Sequence, residues 1–247
     1  KIDPARRPDE DSTTCTASEA GQQSWVVLRK SYKSKEAISM NRIYCLLISV
    51  FLFLFCQASW ADTAASALSL IHRIKEGGYV LYIHHAPTNP KEADQTPIDL
   101  KNCSAQRNLS EEGKKTASLI GEVFKAYKIP IGAVLSSPFC RCMDTAKIAF
   151  DQAHASEHLF FAASLSKEER AERSEMLVTL LTTPPRQKNN IVLVSHNSNL
   201  KEAVNIWPKT EGVIHVFLPK GNKVFEHLGV IEPIHFSELL QAATQVN

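Results

Sequence analysis

The sequence predicts an α/β fold, a three-layer α/β/α sandwich with a mostly parallel central sheet, on three observations. Short apolar runs alternate with stretches of helical spacing, and a sheet fed by alternating elements buries both faces under helices. One run, residues 191–194, is purely aliphatic, as expected of a strand in the middle of a parallel sheet. Three runs end abruptly in polar side chains that can carry positive charge. Residues 79–86 read YVLYIHHA and close on His84 and His85; Leu135 is soon followed by Arg141; Val194 and Ser195 lead straight to His196. Open parallel sheets bind ligands outside the carboxyl ends of their strands. The three ends therefore bring His84, His85, Arg141 and His196 around one pocket.

Taken in order, residues 64–75 space Ala67, Leu68, Leu70, Ile71 and Ile74 along one helical face, and Gly77-Gly78 stops that helix before the first strand. Residues 87–107 contain prolines and no period, which marks a loop long enough to act as a lid. Ser110 caps a helix whose first turn holds Glu111 and Glu112, charges that suit the positive end of the helix dipole. Its apolar stripe is Ala117, Ile120, Phe124 and Tyr127, and Pro130 forbids continuation. A strand over 133–135 follows. Ser137-Pro138 reads as a cap with proline in the first helical position. The helix it opens buries Phe139, Met143, Ala146 and Phe150 and carries Arg141 in its first turn, where free N–H groups favour an anion. Residues 159–162 read as a further strand. Ser166 and Glu169 form a capping box for a helix through Leu177, Leu180 and Leu181, stopped by Pro184. A short helix over 200–204, a strand over 213–218, a turn at 219–222 and a strand over 223–228 follow.

Of the 247 residues 44% are apolar and 22% charged, the balance of a globular domain with one sizeable core. Residues 1–39 are polar and aperiodic, and are expected to be an upstream disordered extension rather than a native domain. Residues 40–61 read as a signal peptide: Arg42 precedes an apolar run over 43–56, and Ser59 and Ala61 hold the small positions of a cleavage site before Asp62. The run is shorter than the ~20 residues of a spanning helix. The folded domain is expected over 62–247, exported to the periplasm or secreted. Residues 1–61 contain eight of the 28 Lys/Arg and six of the 26 Asp/Glu, so the domain holds twenty of each. With no net field, nothing argues for a nucleic-acid partner, or for a membrane partner after signal cleavage.

Cys103, Cys140 and Cys142 fall in that domain. An oxidising compartment allows a Cys103–Cys140 or a Cys103–Cys142 bridge; three free buried thiols is the alternative. The Cys-Arg-Cys spacing is too tight for a CxxC redox motif, and without a second cysteine pair a structural zinc site is not expected.

Four motifs, in order, resemble the histidine phosphatase superfamily with its phosphoglycerate mutase-like fold, and within it the small exported phosphatases. They are His84-His85-Ala86-Pro87-Thr88; the run from Arg107 through Leu109, Ser110 and Gly113; the run from Ser136 through Arg141 to Ala146; and Val194-Ser195-His196-Asn197. The resemblance implies a metal-independent phosphomonoester hydrolase with no cofactor. It makes His85 the nucleophile, and His84, Arg141, His196 and Thr88 the groups that hold phosphate; Arg107 is a further candidate. It implies a small phosphorylated substrate, and leaves oligomeric state open. A neutral imidazole attacking phosphorus divides one difficult displacement into two, while positioned cations complement the charge on the phosphoryl oxygens.

His84 departs from the family pattern, which has an arginine there. An imidazole ionises near pH 6.5, so this substitution predicts a weaker enzyme or one favouring acidic pH. Asp94, Asp99, Glu168 and Glu169 are candidates for the leaving-group acid, and the sequence assigns none of them. Loop 87–107 and segment 153–173 are expected to shape the substrate pocket. The main alternative is a non-catalytic member that binds phosphorylated ligands. A mutase fits export poorly. A metal-binding protein using His84, His85 and His196 lacks a carboxylate at ligand spacing, and no cysteine stands six residues before an arginine, as a cysteine-dependent phosphatase requires.

Overall fold

Six strands form a single sheet in the order β3-β2-β4-β1-β5-β6, in a computed structural model that describes residues 65–245. The expected extension over 1–39 and signal peptide over 40–61 lie outside the described residues. After helix α1 (65–75) come β1 (Val80–His84), α2 (Glu111–Ala126), β2 (Ile131–Ser136), α3 (Cys140–Phe150), β3 (His154–Ala155), α4 (Lys167–Thr182), β4 (Asn190–Ser195), α5 (Asn197–Val204), β5 (Ile214–Gly221), β6 (Val224–Ile231) and α6 (Phe236–Gln245). Strands β3, β2, β4 and β1 are parallel, while β5 runs antiparallel to both β1 and β6. The predicted mostly parallel three-layer sandwich is thus the observed one. Strand β1 shows why: Leu81 and Ile83 face a core shared with α1, α2, α3 and α6, whereas Val80 and Tyr82 face a second core with α4 and α5. Alternation along a strand sends successive side chains to opposite faces, so a strand apolar at every position demands cover on both. Among the described residues no helix is long and apolar enough to cross a membrane.

The cap signals of α2 and α4 are kept. The Ser110 side chain accepts from Gly113 N, and Ser166 and Glu169 form the reciprocal capping box. Gly113 is needed for space: a Cβ there would stand 1.8 Å from the Pro87 carbonyl oxygen, where the first turn of α2 lies against the chain leaving the sheet.

Three expectations are corrected. Helix α3 is capped by Phe139 without a side-chain bond, not by Ser137, because the Ser137 N–H donates to Val194 O and its hydroxyl bonds His196. Its buried face is Cys142, Ala146 and Ala149, with Met143 and Phe150 only half-buried. Residues 159–162 are not a strand but two short 3-10 turns, Glu157–Leu159 and Ala162–Ser164. Side chains take up that backbone instead of a neighbouring strand: Ser195 Oγ and Asn199 Nδ2 donate to the carbonyls of Leu159 and Phe160, and Ala162 N donates to Asn199 Oδ1. Helix α6 was not anticipated.

On the β5–β6 hairpin, His215 Nδ1 and His227 Nε2 share a hydrogen bond of 3.1 Å. Burial, then the charge of His227, lowers the His215 pKa to about 4. A base whose folded pKa is depressed is neutral in the native state while the unfolded chain takes up a proton. Its contribution is complete above the unfolded value of about 6.5 and is lost as pH falls to about 4, a loss on the order of 3 kcal/mol. Urea denaturation between pH 7 and pH 4 is expected to show that loss in the wild type and a smaller one in His215→Gln.

Candidate active site

Backbone pairing sets the site. His84 ends β1 opposite Ser195, the last residue of β4, and His85 N donates to Ser195 O at 3.0 Å. Gly212 N approaches the carbonyl oxygens of both His84 and His85 at 2.9 Å, tying the approach to β5 across the same edge. The Tyr82 hydroxyl donates to His196 O at 2.6 Å, and Ala86 N donates to Thr145 Oγ1 on α3. The three ends singled out in the sequence therefore meet. Ring centroids of His84 and His85 are 4.6 Å apart, and those of His85 and His196 are 5.4 Å apart. With Arg141, all four line one cavity of about 670 Å³, together with Pro87, Arg107, Phe161, Asn197, Lys209, Thr210 and Glu211.

Carbonyl oxygens only accept, so they fix the histidine tautomers. His85 Nδ1 lies 3.0 Å from Ala86 O and His84 Nδ1 lies 3.1 Å from Thr210 O. Each ring carries its proton on Nδ1 and keeps the Nε2 lone pair free. Burial, and then the positive charge of neighbouring groups, holds His85 and His196 well below the ordinary histidine range. Burial also lowers His84. His84 and His196 are therefore neutral in the ligand-free pocket near neutral pH, because desolvation opposes their charge. That charge returns only if a bound anion compensates.

Arg141 is 1% exposed. Its guanidinium carbon lies 4.5 Å from the Phe139 ring centroid and 5.5 Å from that of Phe161, and the same two rings flank His196 at 5.2 and 4.7 Å. Aromatic walls exclude water and strengthen whatever charge they enclose. Arg141 Nη1 donates to Asp94 Oδ1 at 2.9 Å, while Nε is buried without a partner. A buried unpaired N–H beside a cavity is a donor awaiting an acceptor. The Asp94 carboxylate also accepts from Arg107 N, so loop 87–107 contributes an anchor for the arginine.

The loop is pinned by the Cys103–Cys140 bridge, one of the two pairings expected, while Cys142 is free and buried, its thiol pushed up to about 12 by burial. The bridge closes a loop across 37 positions, so its loss is expected to cost on the order of 3 kcal/mol through the unfolded chain. Guanidinium melts of Cys103→Ser/Cys140→Ser against wild type measure this; equal midpoints would refute it.

Thr88 does not line the cavity. Its N–H and hydroxyl donate to the two oxygens of Glu211, each at 2.9 Å, and so position that carboxylate. Glu211 Oε1 lies 3.9 Å from His85 Nδ1 and 3.7 Å from Arg107 Nη2. Among the described residues it is the sole carboxylate lining the cavity, and the sequence offered no sign of it. It precedes β5, and only the antiparallel direction of β5 brings that strand's beginning to the edge where β1 ends. Phe161, also unassigned, lies in the segment expected to shape the pocket. Asp99, Glu168 and Glu169 do not line it.

A mostly parallel sheet whose carboxyl edge gathers three histidines and a buried arginine has the architecture expected from the sequence resemblance. Residues 103–160, which carry the bridge, β2 and Arg141, match the family model of the histidine phosphatase superfamily (branch 1), the superfamily that the sequence motifs resemble. The structure of the protein histidine phosphatase SixA complexed with tungstate is similar at TM-score 0.48 and 18% identity, over 63% of this chain and 97% of that one. Phosphoserine phosphatase from Entamoeba histolytica, in complex with 3-phosphoglyceric acid, gives 0.44 and 18% over 64% and 98%. Mycobacterial glucosyl-3-phosphoglycerate phosphatase gives 0.40 and 15% over 57% and 89%. None of the curated proteins compared matches the chain.

Proposed function

We propose that the protein is a phosphomonoester hydrolase that works through a phosphohistidine on His85. The observation that carries this reading is the state of that side chain: buried, protonated on Nδ1 by its bond to the Ala86 carbonyl, and lining one cavity with Arg141. In the first step a bond forms from Nε2 to phosphorus as the ester P–O bond breaks, and the alcohol departs with a proton from solvent. Water then attacks the phosphorus, the N–P bond breaks, and phosphate leaves. Arg141 supplies fixed positive charge and its unpartnered Nε; His196 and His84 supply donors once the anion is bound. The phosphorylated ring is cationic, and the Glu211 carboxylate near Nδ1 complements that charge. None of these steps needs a metal.

The substrate is a small phosphorylated molecule, which the dimensions of the cavity accommodate. The Cys103–Cys140 bridge supports an exported protein working in an oxidising compartment. Rapid denaturing quench during turnover of a labelled aryl phosphate is expected to trap an acid-labile, alkali-stable phosphoryl adduct at His85. The replacement of the family arginine by His84 favours a second reading, a phosphate-ligand-binding protein without turnover. Saturable phosphate binding with no adduct would decide for it.

A further inference from the structure

We propose that His84, His85 and Glu211 form a site for a transition-metal dication of the zinc class, and that the bound ion occupies the nucleophile and blocks phosphoryl transfer. The blocking rests on the function proposed above; the binding does not.

One donor atom from each of the three residues lies within 4.8 Å of the other two. Tetrahedral zinc with bonds of about 2.0–2.2 Å sets its ligand atoms ~3.4 Å apart, a distance small side-chain rotations reach from there. The surroundings are those of a ligand set. In each imidazole Nδ1 is held by a backbone carbonyl, of Thr210 for His84 and of Ala86 for His85, which fixes the ring. The Glu211 carboxylate is held by two donors of Thr88. Metal-binding histidines and carboxylates characteristically carry such outer bonds. Two imidazoles with one carboxylate suit zinc, copper or nickel, and not magnesium or calcium, which take oxygen ligands. Three protein ligands leave a fourth position open. Arg107, Arg141 and Lys209 line the same cavity and draw an anion into it.

The site is particular to this chain's departure from the pattern it resembles. An arginine at position 84 has no lone pair to give. The histidine there turns a phosphate cradle into a metal chelate, and the carboxylate comes from Glu211, just before β5.

Isothermal titration of the chelator-stripped full-length chain with zinc chloride tests this, with magnesium chloride as control. The expected result is one zinc per chain, no magnesium, and zinc inhibition of p-nitrophenyl phosphate hydrolysis that the chelator reverses. His84→Arg and Glu211→Gln, checked by circular dichroism, are expected to weaken zinc binding at least tenfold. Absence of zinc binding, or affinity unchanged in both folded variants, would overturn the site. Should the variants not fold, cobalt in the wild type decides: an intense visible band of low coordination supports it, and a weak octahedral spectrum overturns it. Zinc binding in a protein with no phosphatase activity would retain the site and refute the proposed function, so the two fail separately.

Discussion

His85→Ala is expected to abolish phosphate release from an aryl phosphate, lowering kcat by about 10⁴-fold or more, the scale on which a covalent nucleophile is lost. The cause is specific. His85 joins a nitrogen lone pair to a carbonyl-held proton and a carboxylate 3.9 Å from its Nδ1. His84 is the nearest competitor, but Thr210 fixes its ring separately and the backbone sends the two side chains to different positions at the strand end. The fold should persist in the variant, because the His85 backbone bonds to Ser195 and Gly212 need no side chain. Equal thermal melts with lost turnover would therefore isolate chemistry from folding. Turnover within tenfold of wild type would end the phosphohistidine reading.

Arg141→Ala is expected to act on both activity and stability. Losing a fixed donor to the phosphoryl oxygens costs about 10²–10³-fold in kcat. Losing the partner of Asp94 and the packing between Phe139 and Phe161 costs on the order of 3 kcal/mol of stability. Arg141→Lys keeps the charge but not the planar fork, so it should recover part of the stability and little of the activity. Steady-state kinetics and urea melts of the two variants separate these effects. A lysine variant with full activity would show that charge alone suffices.

Helices α2 and α4 were legible from caps and helical spacing, whereas α6, with Phe236, Leu239 and Ala243 at the same spacing, was not anticipated. The stripe Ala117, Ile120, Phe124 and Tyr127 and the Ser166–Glu169 box stand as read, since caps and stripes depend on neighbours a turn away. Ser137 misled because its hydroxyl had a better partner, His196, distant in sequence. Leu159 and Ala162 misled because buried apolar residues need not lie on a strand when side chains satisfy their backbone. The candidate site was half legible. His84, His85, Arg141 and His196 follow strands readable as apolar runs, but Thr88 holds Glu211 rather than lining the cavity.

The sequence by itself determined the alternation of strands and helices, the apolar strand centres and the polar residues at their ends, because those are matters of local spacing. Only the tertiary structure decided that β5 runs against β1, which brings Glu211 beside the histidines, and that burial lowers the His84 pKa below its ordinary value. Strand direction and solvent access both depend on contacts between segments far apart in the chain, and no local pattern encodes them.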